Sequence, residues 1–262
     1  LGQEDRVQHD AGGGVQAEAD VGDAQGSLYV GVAAAEYGLP INPSTLLNLK
    51  HCPVTDKSWD HETRELFIRF LATGQALPPV WEELDFVDLP GRWMPEWLGV
   101  RNRPSASAAH RYTIDRHMIE VVSRLGREAP SGMRYDDTQY ATLLLAGLLH
   151  DIGKRPGVRD HAAEGARHVP VILGRMGFDD QVVAQATLLV REHLTLSQFA
   201  TGKDPEDPAV GRELAGRVEN DPVLLDMLFD LTRADGSSLG DRAHDVSGRA
   251  RGDGGLSETG LG

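Results

Sequence analysis

Ten histidines occur in 262 residues, and a subset of them falls in an order that could hold a metal ion. His117 lies within the apolar stripe of TIDRHMIEVVSRLGRE, and the adjacent pair His150-Asp151 follows 33 residues later. His161 comes after a short loop, His193 closes the apolar run VVAQATLLVREH, and Asp235 closes LLDMLFDLTRAD. Mixed imidazole and carboxylate donors suit Mn²⁺, Fe²⁺ or Zn²⁺, while Mg²⁺ calls for more oxygen. Each residue alone has a plainer role. His117 could be a hydrogen-bonded core histidine, and Asp160 and Asp235 could serve as helix or turn caps. The joint order, a histidine, then His-Asp, then two histidines, then a helix-terminal aspartate, is far more specific than any member. A second His-Asp pair, His244-Asp245, stands in a polar tail and reads as solvated side chains.

The elements that must position these groups are helical. LLLAGLLHDIGK (Leu143 to Lys154) has no solvent face, so it belongs inside a helical core. Burying His150 and Asp151 there without a partner would be costly, and a metal ion would supply one. SLYVGVAAAEYG predicts a helix capped by Ser27 and stopped at Gly38, and PSTLLNLKH predicts another capped by Asn42. In HETRELFIRFLATG, residues Leu66, Phe67, Phe70 and Leu71 share one face. VWEELDFVDLPGRWMPEWLGV places three of four tryptophans in short elements, where core packing is expected. Thr113 is expected to cap the His117 helix, whose buried stripe is Ile114, Met118, Val121, Val122 and Leu125. HAAEGARHVPVILGRMGF predicts a helix interrupted at Pro170, and Pro222 opens the last helix at a first-turn position. No stretch alternates as a strand would, and there is no internal repeat. The expectation is an all-α helical bundle: a disordered lead-in over 1–26, a small helical subdomain over 27–100, the His- and Asp-bearing domain over 101–236, and a disordered tail over 237–262.

Charge narrows the functional classes. With 26 basic against 40 acidic residues the net charge is −14, which disfavours nucleic-acid backbones and anionic membrane surfaces. The longest apolar run is seven residues, against about 20 needed to span a bilayer. An acidic, glycine-rich N-terminus without a secretory signal and a lone Cys52 point to a cytoplasmic protein without disulfides. A first residue of leucine rather than methionine suggests a fragment of a longer chain.

The order H…HD…H…H…D resembles the signature of the HD-domain metal-dependent phosphohydrolases. More closely, HRYTIDRH (110–117), LLHDIGK (148–154), DHAAEGA (160–166), VREHLTLS (190–197) and LTRAD (231–235) resemble the HD domain of bifunctional PII uridylyltransferase/uridylyl-removing enzymes. AAAEYGLPI, LPPVWEEL and WMPEWLGVRNRP resemble the segment preceding that domain in actinobacterial members, so the likeness runs over about residues 27 to 236. The nucleotidyltransferase and glutamine-sensing ACT domains of that family have no counterpart here.

The resemblance implies hydrolysis at phosphorus assisted by divalent metal (Mn²⁺, Fe²⁺, Zn²⁺ or Mg²⁺), with a nucleotidylated tyrosine of the PII signal protein as substrate and UMP or AMP released. It implies His117, His150, Asp151 and Asp235 around a first ion, with Asp151 bridging metals or orienting the water. His161 and His193 would serve a second ion or bind the phosphate. Lys154 would stabilise a non-bridging oxygen or, equally, complement its helix dipole. Arg191 is a weaker candidate for the same task, and His110 matches the motif without a definite role. Two other readings stand beside this one: a stand-alone HD phosphohydrolase of small nucleotides, and a non-catalytic regulatory fragment.

Overall fold

The structure is a computed structural model that describes residues 7–9, 14–17, 23–51, 58–105, 112–128 and 135–238. The first element is a short antiparallel hairpin, β1 (Val7–His9) and β2 (Val15–Ala17), within the stretch expected to be a structureless lead-in. Alternation over three residues is too short to read from sequence. Val15 nevertheless has a clear place, since it is fully buried and its N–H donates to Pro40 O at 2.9 Å. Everything else of regular structure among the described residues is helical, as expected.

The N-terminal helices form one apolar block. α1 (Ala24–Tyr37) is capped by Asp23, which accepts from Gly26 N, rather than by Ser27 as the sequence suggested. The Ser27 hydroxyl is already inside the helix and donates back to Ala24 O. α2 (Pro43–Leu49) follows its Asn42 cap, and α3 (His61–Leu71) buries Leu66, Phe67, Phe70 and Leu71 together, as their spacing requires. α4 (Leu77–Phe86), α5 (Leu89–Trp93) and a 3₁₀ turn over Pro95–Gly99 carry Trp81, Trp93 and Trp97, all buried. Trp81 meets Trp93 and Trp97 edge-on at centroid distances of 6.0 and 5.3 Å and stacks on Phe70 at 6.1 Å. These aromatics are core.

The remaining helices carry the candidate site. α6 (Ile114–Glu128) buries its stripe of Ile114, Met118, Val121, Val122 and Leu125 against α7 (Asp137–Leu149). α7 opens on a reciprocal capping box between Asp136 and Gln139, then runs fully buried from Thr142 to its end. Gly147 lets α6 approach: a β-carbon there would lie 2.6 Å from Leu125 Cδ1. α8 (His161–Arg175) and α9 (Asp180–Glu192) pack against each other, and α9 also lies on α7. α10 (Thr195–Gly202) and α11 (Pro208–Arg217) lead to α12 (Pro222–Ser238), which covers α6 and touches α7 and α9. A single apolar cluster from Val15 to Ala234 joins these helices to the N-terminal block.

Two expectations change. The helix containing Pro170 is continuous, with the proline inside it. Val169, Ile172 and Leu173 on either side are buried, and their packing outweighs the lost hydrogen bond. The tail was expected to lose order from Ser237, yet α12 includes Ser237 and Ser238; residues 239–262, and with them His244-Asp245, lie outside the described residues. Among the described residues no helix is long and apolar enough to cross a membrane.

A proline inside a helix costs about 3 kcal/mol, and its stiffening of the unfolded chain returns up to about 1 kcal/mol. Since position 170 is exposed, Pro170→Ala should stabilise the protein by about 2 kcal/mol in a urea titration. No gain would show that the α8 backbone is shaped around the proline.

Candidate metal centre

Two of the site histidines are placed by the same local device. His150 is the C-cap of α7 and His193 the C-cap of α9. His150 Nδ1 donates to Gly147 O at 2.8 Å, and His193 Nδ1 donates to Val190 O at 2.7 Å, each three residues back. A carbonyl only accepts, so Nδ1 carries the proton in both rings. The Nε2 atoms are therefore left pointing away from their own helices, into one common space. The chain turns immediately after His150, and Asp151 enters the same space, 1% exposed. His161 joins as the first residue of α8, whose N-cap Asp160 accepts from Ala163 N at 2.9 Å. His117 comes from the buried face of α6 and Asp235 from the last turn of α12.

The resulting cluster has two halves that share Asp151. Its Oδ2 lies 3.4 Å from His150 Nε2 and 3.7 Å from His117 Nε2. Its Oδ1 lies 3.5 Å from His161 Nε2 and 3.7 Å from His193 Nε2. Asp235 Oδ1 closes the first half at 2.9 Å from His117 Nε2 and 3.8 Å from His150 Nε2. Within each set, His117, His150 and Asp235 or Asp151, His161 and His193, the ligand atoms lie within 4.8 Å of one another. Lys154 Nζ donates to Asp151 Oδ2 at 2.6 Å, so this lysine does reach the pole of the cluster.

The electrostatics fit a cation. Nε2 of His117 and of His150 stand only 3.3 Å apart, and two facing lone pairs at that distance repel unless a proton or a metal lies between them. Burial opposes charge on His150, but the carboxylates of Asp151 and Asp235 overcome it and raise its pKa to about 9. A proton on His150 would thus stand where an ion would fit, and an ion would displace it. Asp151, despite a burial that favours the neutral acid, is held well below the ordinary carboxylate range by His150, Lys154 and His193. Asp235 is likewise brought down to about 2, its burial outweighed by the His117 hydrogen bond and the His150 charge. Burial, with His150 next to it, lowers His193 to about 4, and burial also lowers His161, so both rings are neutral and able to ligate. Asp151 Oδ1 and His161 Nε2 are buried without a hydrogen-bond partner, and a metal ligand is the kind of atom left in that condition.

Of the residues singled out in the sequence, seven meet here: His117, His150, Asp151, Lys154, His161, His193 and Asp235. Arg191 does not join them; it is exposed and its Nε donates to Glu192 Oε1 at 3.0 Å. His110 lies outside the described residues. Sequence reading missed Ser238, fully buried behind His117 with its Oγ 2.8 Å from His117 Nδ1. It also missed Glu192, buried beside His193, which accepts from Thr195 Oγ1 at 2.7 Å and from Arg217 at 3.3 Å. Spacing offered one signal for Ser238: it stands three residues after Asp235, on the same helix face.

Gly153 fixes how closely α8 approaches the His-Asp turn. A β-carbon on it would lie 2.1 Å from His161 O and 2.4 Å from Gly165 N, both backbone atoms that cannot swing aside. Gly153→Ala should therefore push the start of α8 away and displace His161, lowering divalent-metal affinity by at least about tenfold while the N-terminal block stays folded. Chelator competition with circular dichroism would check this, and unchanged affinity would show that His161 is not held through Gly153.

No family model matches the chain. Curated relatives do. The chain is 37% identical over 218 residues to a bifunctional uridylyltransferase/uridylyl-removing enzyme of Streptomyces coelicolor, covering 82% of this chain and 25% of that protein. It is 35% identical over 214 residues to the enzyme of that name from Mycobacterium tuberculosis, covering 81% of this chain and 26% of the relative. The Corynebacterium glutamicum counterpart is 32% identical over 221 residues, covering 84% and 31%. The chain therefore spans about a quarter to a third of the length of these relatives. It belongs with the bifunctional uridylyltransferase/uridylyl-removing enzymes, as a homologue of one segment of them.

Proposed function

We propose that this chain is a metal-dependent phosphodiester hydrolase that removes UMP or AMP from a modified tyrosine of a PII signal protein. The observation that carries the reading is the buried Asp151 carboxylate, with one oxygen facing His117 and His150 and the other facing His161 and His193. His117, His150, Asp151 and Asp235 would hold a first ion, and Asp151, His161 and His193 a second ion or the substrate phosphate. A divalent cation there supplies Lewis acidity toward a phosphoryl oxygen and a source of nucleophile at neutral pH. The printed name of the relatives, uridylyl-removing enzyme, supports the reaction class.

The chain's own residues divide the remaining work. Asp151, held ionised, keeps an acceptor available to orient water between the two halves of the cluster. Lys154 now neutralises Asp151 Oδ2; its flexible ammonium is free to turn toward a non-bridging phosphate oxygen once an ion takes over that role. Asp235, His161 and Lys154 keep 23–24% of their side chains exposed, while His117, His150 and His193 are sealed, so a phosphate reaches the cluster from the former side. The walls on the other side exclude bulk water and strengthen each electrostatic contact.

Reaction class and substrate are tested together. Metal-loaded protein should release nucleotide from modified PII, and Asp151→Asn should lower the rate at least about 1,000-fold at unchanged fold, since it removes a shared ligand and the water's acceptor. Hydrolysis of free nucleotides in preference to modified PII would instead favour a small-nucleotide enzyme. Release that survives Asp151→Asn would place the chemistry elsewhere.

Metal binding should also depend on pH in a defined direction. In the metal-free fold the raised His150 pKa contributes stability that is complete below about 6.5, its unfolded value, and lost as pH rises through about 9. A metal must displace that proton, so apparent affinity should rise about tenfold per pH unit between pH 6.5 and 8.5 and level off above 9. Calorimetry in buffers of different ionisation enthalpy would count the released proton; no release would show His150 to be already neutral.

A further inference from the structure

The Ser238 hydroxyl is in contact with two groups. It donates to Asp235 O at 2.7 Å, the i−3 carbonyl of its own helix, and lies 2.8 Å from His117 Nδ1. A hydroxyl has one proton to give. With that proton on the Asp235 carbonyl, Oγ can only accept from the imidazole, so Nδ1 of His117 carries a hydrogen and Nε2 is the nitrogen turned toward the cluster. Nε2 faces Asp235 Oδ1 at 2.9 Å and Asp151 Oδ2 at 3.7 Å, inside the first half of the cluster. Residues 235 and 238 are one turn apart on α12, so a single helix face grips the ring of His117 at both nitrogens. His150 and His193 obtain the same tautomer from carbonyls of their own helices. His117 sits in the first turn of α6, far from the C-terminal end where helix carbonyls are left over, and its tautomer has to be set from another element.

We infer that Ser238 is a positioning residue, which holds His117 in the Nδ1–H tautomer and orients its Nε2 as a metal ligand. The inference rests on the metal-site reading for its consequence but not for the hydrogen bond itself. It is distinct from the ligand set, because Ser238 stands behind His117 and offers nothing to the ion. It also gives the last turn of α12 a chemical task beyond carrying Asp235.

The test uses the full chain, uniformly ¹⁵N-labelled, in three forms: parent, Ser238→Ala and Ser237→Ala. Ser237 is the exposed neighbour and controls for loosening of the helix end. In the parent, the Zn²⁺-loaded and metal-free proteins should each show a slowly exchanging His117 Nδ1–H. Ser238→Ala should lose that protection and bind Zn²⁺ and Co²⁺ about 10- to 100-fold more weakly, the usual effect of removing such an outer partner. Its Co²⁺ absorption spectrum should shift as His117 reorients. Ser237→Ala should match the parent in all three readouts. An unchanged Nδ1–H and unchanged affinity in Ser238→Ala would overturn the inference, as would an equal loss in Ser237→Ala. Failure of the parent to bind any divalent ion would overturn the metal reading, and the Nδ1–H signal of the metal-free protein would still decide the Ser238 contact.

Discussion

A carboxylate sealed from water between four imidazoles is the constraint around which this molecule is arranged. Asp151 is 1% exposed, and burying a lone anion so deeply would be prohibitive without cationic or ligating partners on both oxygens. Those partners come from four helices besides its own turn: α6, the end of α7, the start of α8 and the end of α9, with α12 closing the first half. None of these helices could shift by a turn without stranding a charged or polar atom. The site is thus a condition on the packing as much as a product of it. Within the site, the buried atoms without a hydrogen-bond partner, Asp151 Oδ1 and His161 Nε2, are ones that an ion would take as ligands.

The apolar fold meets that condition by bringing helix ends to one pole. From Thr142 onward α7 is buried all round, so this half is set by neighbours on every side and its end is delivered with little freedom. Gly147 admits α6 and Gly153 admits α8, one on each side of the His-Asp pair. The N-terminal block contributes at longer range. Arg155, in the turn after the pair, donates to Glu96 O at 2.9 Å, and Glu96 is bridged to Arg175 of α8 at 2.6 Å. The tryptophan-bearing segment therefore braces the loop that joins the two halves of the cluster, and that gives the first hundred residues a mechanical part in the site.

Much of this was legible in the sequence because it depended on local rules. Amphipathic spacing placed the buried stripes of α3 and α6, and an unbroken apolar run announced the sealed helix that ends in His150. The seven clustered residues were legible through their order along the chain, since each stands on a helix face or at a helix end where an apolar pattern changes. What was hidden depended on tertiary balance. Pro170 looked like a break because propensity carries no knowledge of the α9 surface that α8 packs on. Ser27 resembled a cap until Asp23, four residues earlier, took that role. Ser238 had only its spacing from Asp235 to mark it, because the apolar pattern of α12 stops before it and its partner is His117, 121 residues away. Arg191 stood close to His193 in sequence, but one residue in between, Glu192, holds its guanidinium on the outside of the helix.

Net charge adds a final constraint on the substrate side. A chain of charge −14 repels anions, and phosphate esters are anions. Attraction at the site must therefore be local. In the metal-free cluster it comes from the His150 proton and from Lys154, which are engaged with Asp151 and Asp235 and leave little net positive charge to draw a phosphate. An ion of charge two in the first half would change that sum, displacing one proton while adding two charges, and would release Lys154 from its ion pair. On the proposed reading, metal and substrate then bind in order: the acidic surface holds phosphate esters off until the ion is in place. Affinity for the phosphate would be controlled by metal occupancy before any bond is broken, which couples recognition to the same carboxylate that organises the fold.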